Sequence, residues 1–201
     1  MLFRSALQAN SSNNTIFADA DGVIALDMPH FIAKRSPAVD YTKPVDGADP
    51  KTEWKGIHPF EDLPQTLNPV CGFVQNCNSS QFMVSDDGSP CRQDYPSYMT
   101  GADGYIDNRR SKMARLLLRN MKDVTFEDMQ KLALDTTMYW AKTELPRYAQ
   151  MFEDLKVQDP ALAARVEPLL KHLLDWDCRA TVDSTAATLC HAWYEIGRAH
   201  V

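Results

Sequence analysis

The strongest constraint on this chain is the order of its local patterns. Short strand-like runs broken by Pro, Gly and Asp fill the first half, and helix-forming runs fill the second. Thr15-Ile-Phe-Ala-Asp-Ala, then Asp21-Gly22, then Val23-Ile-Ala-Leu-Asp-Met predicts a β-hairpin. Asp-Gly suits a type I′ turn, whose two central residues need positive φ. Asp19 and Asp21 share the spacing of a calcium loop, but a third acidic ligand and the distal glutamate are missing, so the turn is preferred. Residues 29–69 show no period and predict an ordered, irregular crossover. Strand character returns in Cys71-Gly-Phe-Val-Gln-Asn-Cys, and a polar loop follows to residue 107.

Beyond that loop the apolar period becomes helical. Met113, Leu116 and Leu117 share a face of a helix opening near Asn108. Thr125 and Asp128 have the spacing of a capping box, and the run behind them predicts a helix through Tyr139 and Trp140 until Pro146 bends or ends it. A further helix is expected over 147–155. Asp159-Pro160 starts the next, to Leu174 with a kink or break near Pro168, and Asp183-Ser184 caps the last, through Trp193. Strands followed by helices, without internal repeats, indicate an α+β fold. The expected organisation is a strand-bearing part over 1–107, a helical part of the same domain over 108–195, and a tail at 196–201. Ile196-Gly-Arg-Ala-His-Val matches the translation of a common sequencing adapter, so that tail is expected to be non-native on an incomplete reading frame.

Composition removes several classes of function. A net charge of -6 and a pI near 5.3 argue against nucleic acid, whose phosphates demand a basic face. No apolar run is long enough to cross a bilayer, and the opening residues lack the apolar length of a signal peptide. The five cysteines form no C-x-x-C pair, which argues against a zinc ribbon. A disulfide among Cys71, Cys77 and Cys91, or between Cys178 and Cys190, stays open beside the reading that most are small buried hydrophobes. None of the five histidines (His30, His58, His172, His191, His200) has metal-ligand spacing with another His or Cys.

The residues with candidate chemistry end the segment Trp54-Lys-Gly-Ile-His-Pro-Phe-Glu-Asp-Leu-Pro-Gln-Thr-Leu-Asn-Pro-Val-Cys-Gly-Phe-Val-Gln-Asn-Cys-Asn78. On an alternating strand Asn76 and Asn78 share a face. An amide donor aimed at a tetrahedral oxyanion in a dry site is worth about 3 kcal/mol. The residues alone equally allow an Asx turn after a strand.

The pattern W-x-G, P-F, L-P, N-P-x-x-G-F-V-x-N-x-N resembles the penicillin acylases and acyl-homoserine lactone acylases, a family of N-terminal-nucleophile amidohydrolases. The resemblance spans nearly the whole chain, from the Phe17-Ala-Asp-Ala-Asp-Gly hairpin to Asp175-Trp-Asp, and its Val-Gln-Asn-x-Asn spelling is slightly closer to the acyl-homoserine lactone and aculeacin acylase branch. It implies a β-chain fragment of the four-layer αββα sandwich. It implies that Asn78 lends its side-chain amide to the oxyanion hole while Asn76 is structural. Arg109, opening the helix behind the loop, matches an arginine near the family's active site; the alternative is a solvated arginine on an amphipathic helix.

The family's nucleophile is a Ser freed at the N-terminus of the processed β-chain, its own amine serving as base. No serine here fits that role; Gly88-Ser89 is followed by Pro90 and lies beyond the oxyanion Asn. The resemblance therefore implies a fragment inactive alone, completed by an α-chain and the rest of the β-chain, in a periplasmic or secreted parent acting on a small-molecule N-acyl amide. No cofactor is expected, since the family's calcium ligands do not transfer to these residues. Neither nucleic acid nor membrane is an expected partner. Two rivals remain: a non-catalytic interaction or scaffold module, and an independent Cys–His hydrolase using Cys77 and His58.

Overall fold

A computed structural model describes residues 13–99 and 107–199. The chain forms two compact units, divided after Asn120.

The first unit is built on a three-stranded antiparallel sheet in the order β1-β2-β3: β1 is Thr15–Ala18, β2 Ile24–Asp27 and β3 Gln65–Leu67. The hairpin pairs Ile16 with Leu26 and Phe17 with Ala25, as its alternation predicts. Its turn is not type I′. Only Gly22 has positive φ (84), and the Asp19 carboxylate closes the loop by accepting from the amides of Asp21 (3.0 Å) and Val23 (2.9 Å). A side-chain acceptor at the first turn position makes two left-handed residues unnecessary.

The third strand is not the expected one. Cys71–Cys77 forms no ladder; its segment is tied by the Gln75 amide to the Val84 carbonyl at 2.8 Å. β3 lies instead in Gln65-Thr-Leu, pairing Thr66 with Leu26. Asn68 then adopts φ +46 and substitutes its side chain for a rung of the ladder. Its amide N–H donates to the Ile24 carbonyl (2.8 Å), and its Oδ1 accepts from the Ile24 amide (2.9 Å). The left-handed backbone turns the chain away from the sheet, and Pro69-Val-Cys-Gly closes a further turn. Leu26, Leu63 and Val84 are fully buried and centre this unit's core.

Helix α1, Arg109–Leu118, also belongs to the first unit, although its sequence groups it with the helical half. Met113 and Ser111 are its buried residues.

The second unit holds α2 (Phe126–Ala133), α3 (Tyr139–Gln158), α4 (Pro160–Leu174) and α5 (Thr185–Ala199). The Thr125–Asp128 capping box forms as predicted, Asp159 caps α4 by accepting from the Leu162 amide (2.9 Å), and Ser184 accepts from the Ala187 amide (3.1 Å). Two expectations fail. The helix behind Thr125 stops at Ala133, because residues 136–138 bond to 178–180 instead: Met138 N–H to the Cys178 carbonyl and Ala180 N–H to the Thr136 carbonyl. Pro146 and Pro168 break nothing; each lies inside a continuous helix.

Both prolines are exposed, so the carbonyls their rings leave unbonded lie on the solvent side. The opposite face keeps its helical spacing through Ala141, Leu145, Tyr148 and Phe152. Those residues bury against Leu173, Leu170, Ala163, Ala186 and Cys190, and that burial outweighs the roughly 3 kcal/mol cost of an interior proline. Aromatic packing completes the unit, with Tyr148 5.8 Å from Trp140 and 5.7 Å from Trp193 between ring centroids.

Leu173 is 1% exposed at the centre of this packing. Leu173→Ala is expected to destabilise the helical unit by about 3 kcal/mol, read as a lower denaturant midpoint in far-UV circular dichroism. The exposed Pro146→Ala substitution should move the midpoint upward, since it restores an amide donor without touching the core.

Candidate active site

The Asn78 loop is shaped by three asparagine and arginine contacts, all within the first unit. Asn108 caps α1 by accepting the Ser111 amide on Oδ1 (2.9 Å). Its Nδ2 donates back to the carbonyls of Cys77 (2.8 Å) and Asn78 (3.2 Å). One side chain thus starts the helix and pins the loop. Asn78 itself sits at φ +55, a left-handed conformation that Asn tolerates better than most residues, at a bend over Cys77 and Asn78. Asn76 and Asn78 therefore do not alternate on one strand face, because the backbone leaves the extended region between them.

Asn78 is exposed, and its Oδ1 accepts from Arg110 Nη2 at 3.0 Å. A guanidinium only donates, so the amide atom facing it must be the oxygen. The Nδ2 donor consequently points away from Arg110. Asn76 behaves differently: its Oδ1 is buried with no hydrogen-bond partner. Arg109, the residue singled out from sequence, is exposed at the first position of α1, and its neighbour Arg110 makes the contact with Asn78.

Beneath the loop lies a polar network that sequence inspection does not single out. Gln75 Nε2 donates to the Met83 carbonyl (2.6 Å) and to Ser111 Oγ (2.8 Å). Arg115 grips Asp107 with two parallel bonds, Nη1 to Oδ1 at 3.0 Å and Nη2 to Oδ2 at 2.8 Å. Its Nε lies 3.2 Å from Asp86 Oδ1, and its Nη1 also donates to the Met83 carbonyl (3.0 Å) and Ser111 Oγ (2.8 Å). Arg119 adds a second cation on Asp86 at 2.7 Å. The available signal was the i, i+4 spacing of Ser111 and Arg115 on the face that carries them inward.

Burial would raise the Asp107 pKa, but the hydrogen bond and charge of Arg115 outweigh it and hold the carboxyl below its ordinary range. The Asp107 hydrogen bond raises the Arg115 pKa against the opposing effect of burial. Both shifts favour the charged forms of the Asp107–Arg115 pair.

The Cys77–His58 pair does not form. His58 Nδ1 meets Asp62 Oδ2 at 3.1 Å and its Nε2 meets the Tyr98 hydroxyl at 2.9 Å, so both ring nitrogens are occupied. All five cysteines are free thiols. Ser89 is bound into its own turn, its Oγ 2.6 Å from Thr66 Oγ1 and its amide donating to Asp87. No group of three or more His, Cys, Asp or Glu side chains is set to hold a metal among the described residues. His200 and residues 100–106 lie outside the described residues.

The penicillin amidase family model matches residues 3–199. The chain belongs to the penicillin amidase family. Relatives include two proteins described as acyl-homoserine lactone acylase PvdQ. The one from Pseudomonas syringae pv. syringae is 29% identical over 151 residues, covering 70% of this chain and 18% of the relative. The one from Pseudomonas syringae pv. tomato is 30% identical over 138 residues, covering 67% and 17%. The chain thus spans less than a fifth of the length of these relatives. Among solved structures, a thermostable penicillin G acylase from Alcaligenes faecalis superposes with a TM-score of 0.60 at 22% identity, covering 90% of this chain and 30% of that one. The α+β fold, with its small antiparallel sheet followed by helices, accordingly resembles a portion of the penicillin acylase fold.

The ion cluster sets a pH dependence. A depressed folded pKa contributes stability above the unfolded value of about 3.9, and loses it as pH falls through the folded value. Melting temperature should therefore drop more steeply below pH 4 in the natural chain than in Asp107→Asn, which has already lost the pair. Arg115→Ala, which strands Asp107 and leaves Asp86 with Arg119 alone, is expected to cost about 3 kcal/mol at pH 7, measured by urea denaturation.

Proposed function

We propose that this chain is one wall of the active site of an acylase that hydrolyses N-acyl amides, and that Asn78 provides an oxyanion donor. The observation that carries this is the state of the Asn78 amide. Arg110 holds its oxygen at 3.0 Å, and the left-handed bend presents the residue at the surface, leaving Nδ2 directed outward. A donor held in place before the reaction costs no reorganisation when the charge develops.

The nucleophile would be an N-terminal Ser on another part of the parent polypeptide. Its hydroxyl attacks the amide carbonyl as its own amine takes the proton, and the carbonyl oxygen becomes an oxyanion. Asn78 Nδ2–H donates to that oxygen. The tetrahedral adduct collapses to an acyl-enzyme, expelling the amine, which carries away the proton. Water then attacks the ester, the oxyanion forms again at the same donor, and the carboxylic acid leaves. Arg109 and Arg110, at the start of α1, add positive potential beside this donor. No cofactor takes part in this scheme.

The two relatives named as acyl-homoserine lactone acylases support an acylated amine of that kind as substrate. The α-chain and the remainder of the β-chain would be the partners of this segment, in a periplasmic or secreted enzyme.

Asn78→Ala in the full-length parent is expected to lower kcat by roughly a hundredfold or more, with little change in KM, in an assay of amide hydrolysis. An unchanged kcat would remove Asn78 from the oxyanion role. The 201-residue chain alone is expected to show no amide hydrolysis; Asn78-dependent turnover by the purified chain would contradict the placement of the nucleophile elsewhere.

A further inference from the structure

A second polar site lies on the irregular ribbon of the first unit. Residues 32–34 and 55–58 run antiparallel around the Ala33–Ile57 bridge, with Lys34 N–H donating to the Gly56 carbonyl and Lys55 N–H to the Lys34 carbonyl. Gly56, at φ +91, inserts an extra residue there and brings Trp54 alongside Arg35. The Arg35 guanidinium carbon lies 5.1 Å from the Tyr41 ring centroid and 5.7 Å from that of Trp54.

Arg35 is half-buried, yet it enters no ion pair and no side-chain hydrogen bond among the described residues. Asp40 pairs with Thr42 and Lys43, and Asp62 with His58 and Lys34. The Tyr41 hydroxyl is likewise buried without a partner. A cation held against two aromatic rings, with no protein acceptor for its N–H donors among the described residues, can offer those donors to an anionic ligand.

Behind Arg35 stands a connected set of side chains. Tyr41 packs edge-on against Tyr98 at 6.3 Å, and Tyr98 is hydrogen-bonded to His58, which is bonded to Asp62. Contacts with π faces are compatible with in-plane hydrogen bonding by a guanidinium, whose parallel N–H groups match the two oxygens of a carboxylate. Trp54 remains 63% exposed, so it offers apolar ring surface beside those groups.

We propose that Arg35, Tyr41 and Trp54 form a binding site for a carboxylate that carries a flat apolar substituent, separate from the Asn78 loop. The carboxylate receives the bidentate Arg35 contact, and the substituent stacks on Trp54.

Isothermal titration of the 201-residue chain with sodium benzoate tests this, with benzamide as the uncharged isostere and acetate as the anion without a ring. Saturable benzoate binding is expected, with benzamide and acetate each weaker by about tenfold or more. Arg35→Met should abolish the preference for benzoate over benzamide, Arg35→Lys should retain part of it, and Trp54→Ala should bring benzoate down to the level of acetate. Equal binding of benzoate and benzamide, absence of saturable benzoate binding, or unchanged binding by an Arg35→Met chain with natural circular dichroism would each overturn the proposal. None of these readouts depends on amide hydrolysis, so failure here leaves the Asn78 proposal standing and success does not support it.

Discussion

The grip of Arg115 on Asp107 and Asp86 is the interaction on which the first unit depends. The helix α1 is ten residues long, too short to be stable on its own in water. Arg115 fastens it to the loop carrying Met83 and Asp86, and to the residue that leads into the helix, Asp107. Two carboxylates and a backbone carbonyl share one guanidinium, so the charge is buried with its partners rather than alone. Without that anchor the Ser111–Gln75 bond has no fixed base, and the loop ending at Asn78 loses its floor.

Above that floor, Asn residues solve problems that backbone alone cannot. Asn68 supplies a ladder acceptor from its side chain once its own backbone has turned left-handed. Asn108 caps a helix with one amide atom and clamps the Cys77–Asn78 carbonyls with the other. Asn78 accepts the left-handed bend and presents its amide outward. An amide serves each case because it carries a donor and an acceptor on one short, uncharged arm. The Arg35 site follows a different rule, with aromatic faces rather than hydrogen bonds holding the cation in place.

Much of the scaffold was legible from local chemistry. The Asp19 turn of the hairpin, the Thr125–Asp128 box, the Asp159 cap and the Ser184 cap each arise from residues within four positions of one another. The failures involve partners far apart in sequence. Pro146 reads as a stop until Leu173 and Cys190 are seen packing on the face opposite its ring. The run Phe73-Val74-Gln75 reads as a strand until Asn68 and Gly72 turn the chain away and Gln75 is drawn toward Ser111. Arg110, next to the Arg109 chosen by pattern, bonds the Asn78 side chain, because a helix turns about 100° between neighbours and a one-residue step changes which side chain meets a given partner.

From its residues alone the chain specifies an α+β order, its caps and turns, and the Asn-bearing motif that resembles the acylases. These are properties of neighbours, whose spacing along the backbone settles their geometry. Which amide atom of Asn78 faces outward, which arginine holds it, and how Arg115 and Arg35 come to occupy such different surroundings follow from folding. The Asn78–Arg110 and Met83–Arg115 contacts join groups more than about thirty residues apart, and the Arg35–Trp54 contact crosses an irregular ribbon, so all are set by tertiary packing rather than by local preference.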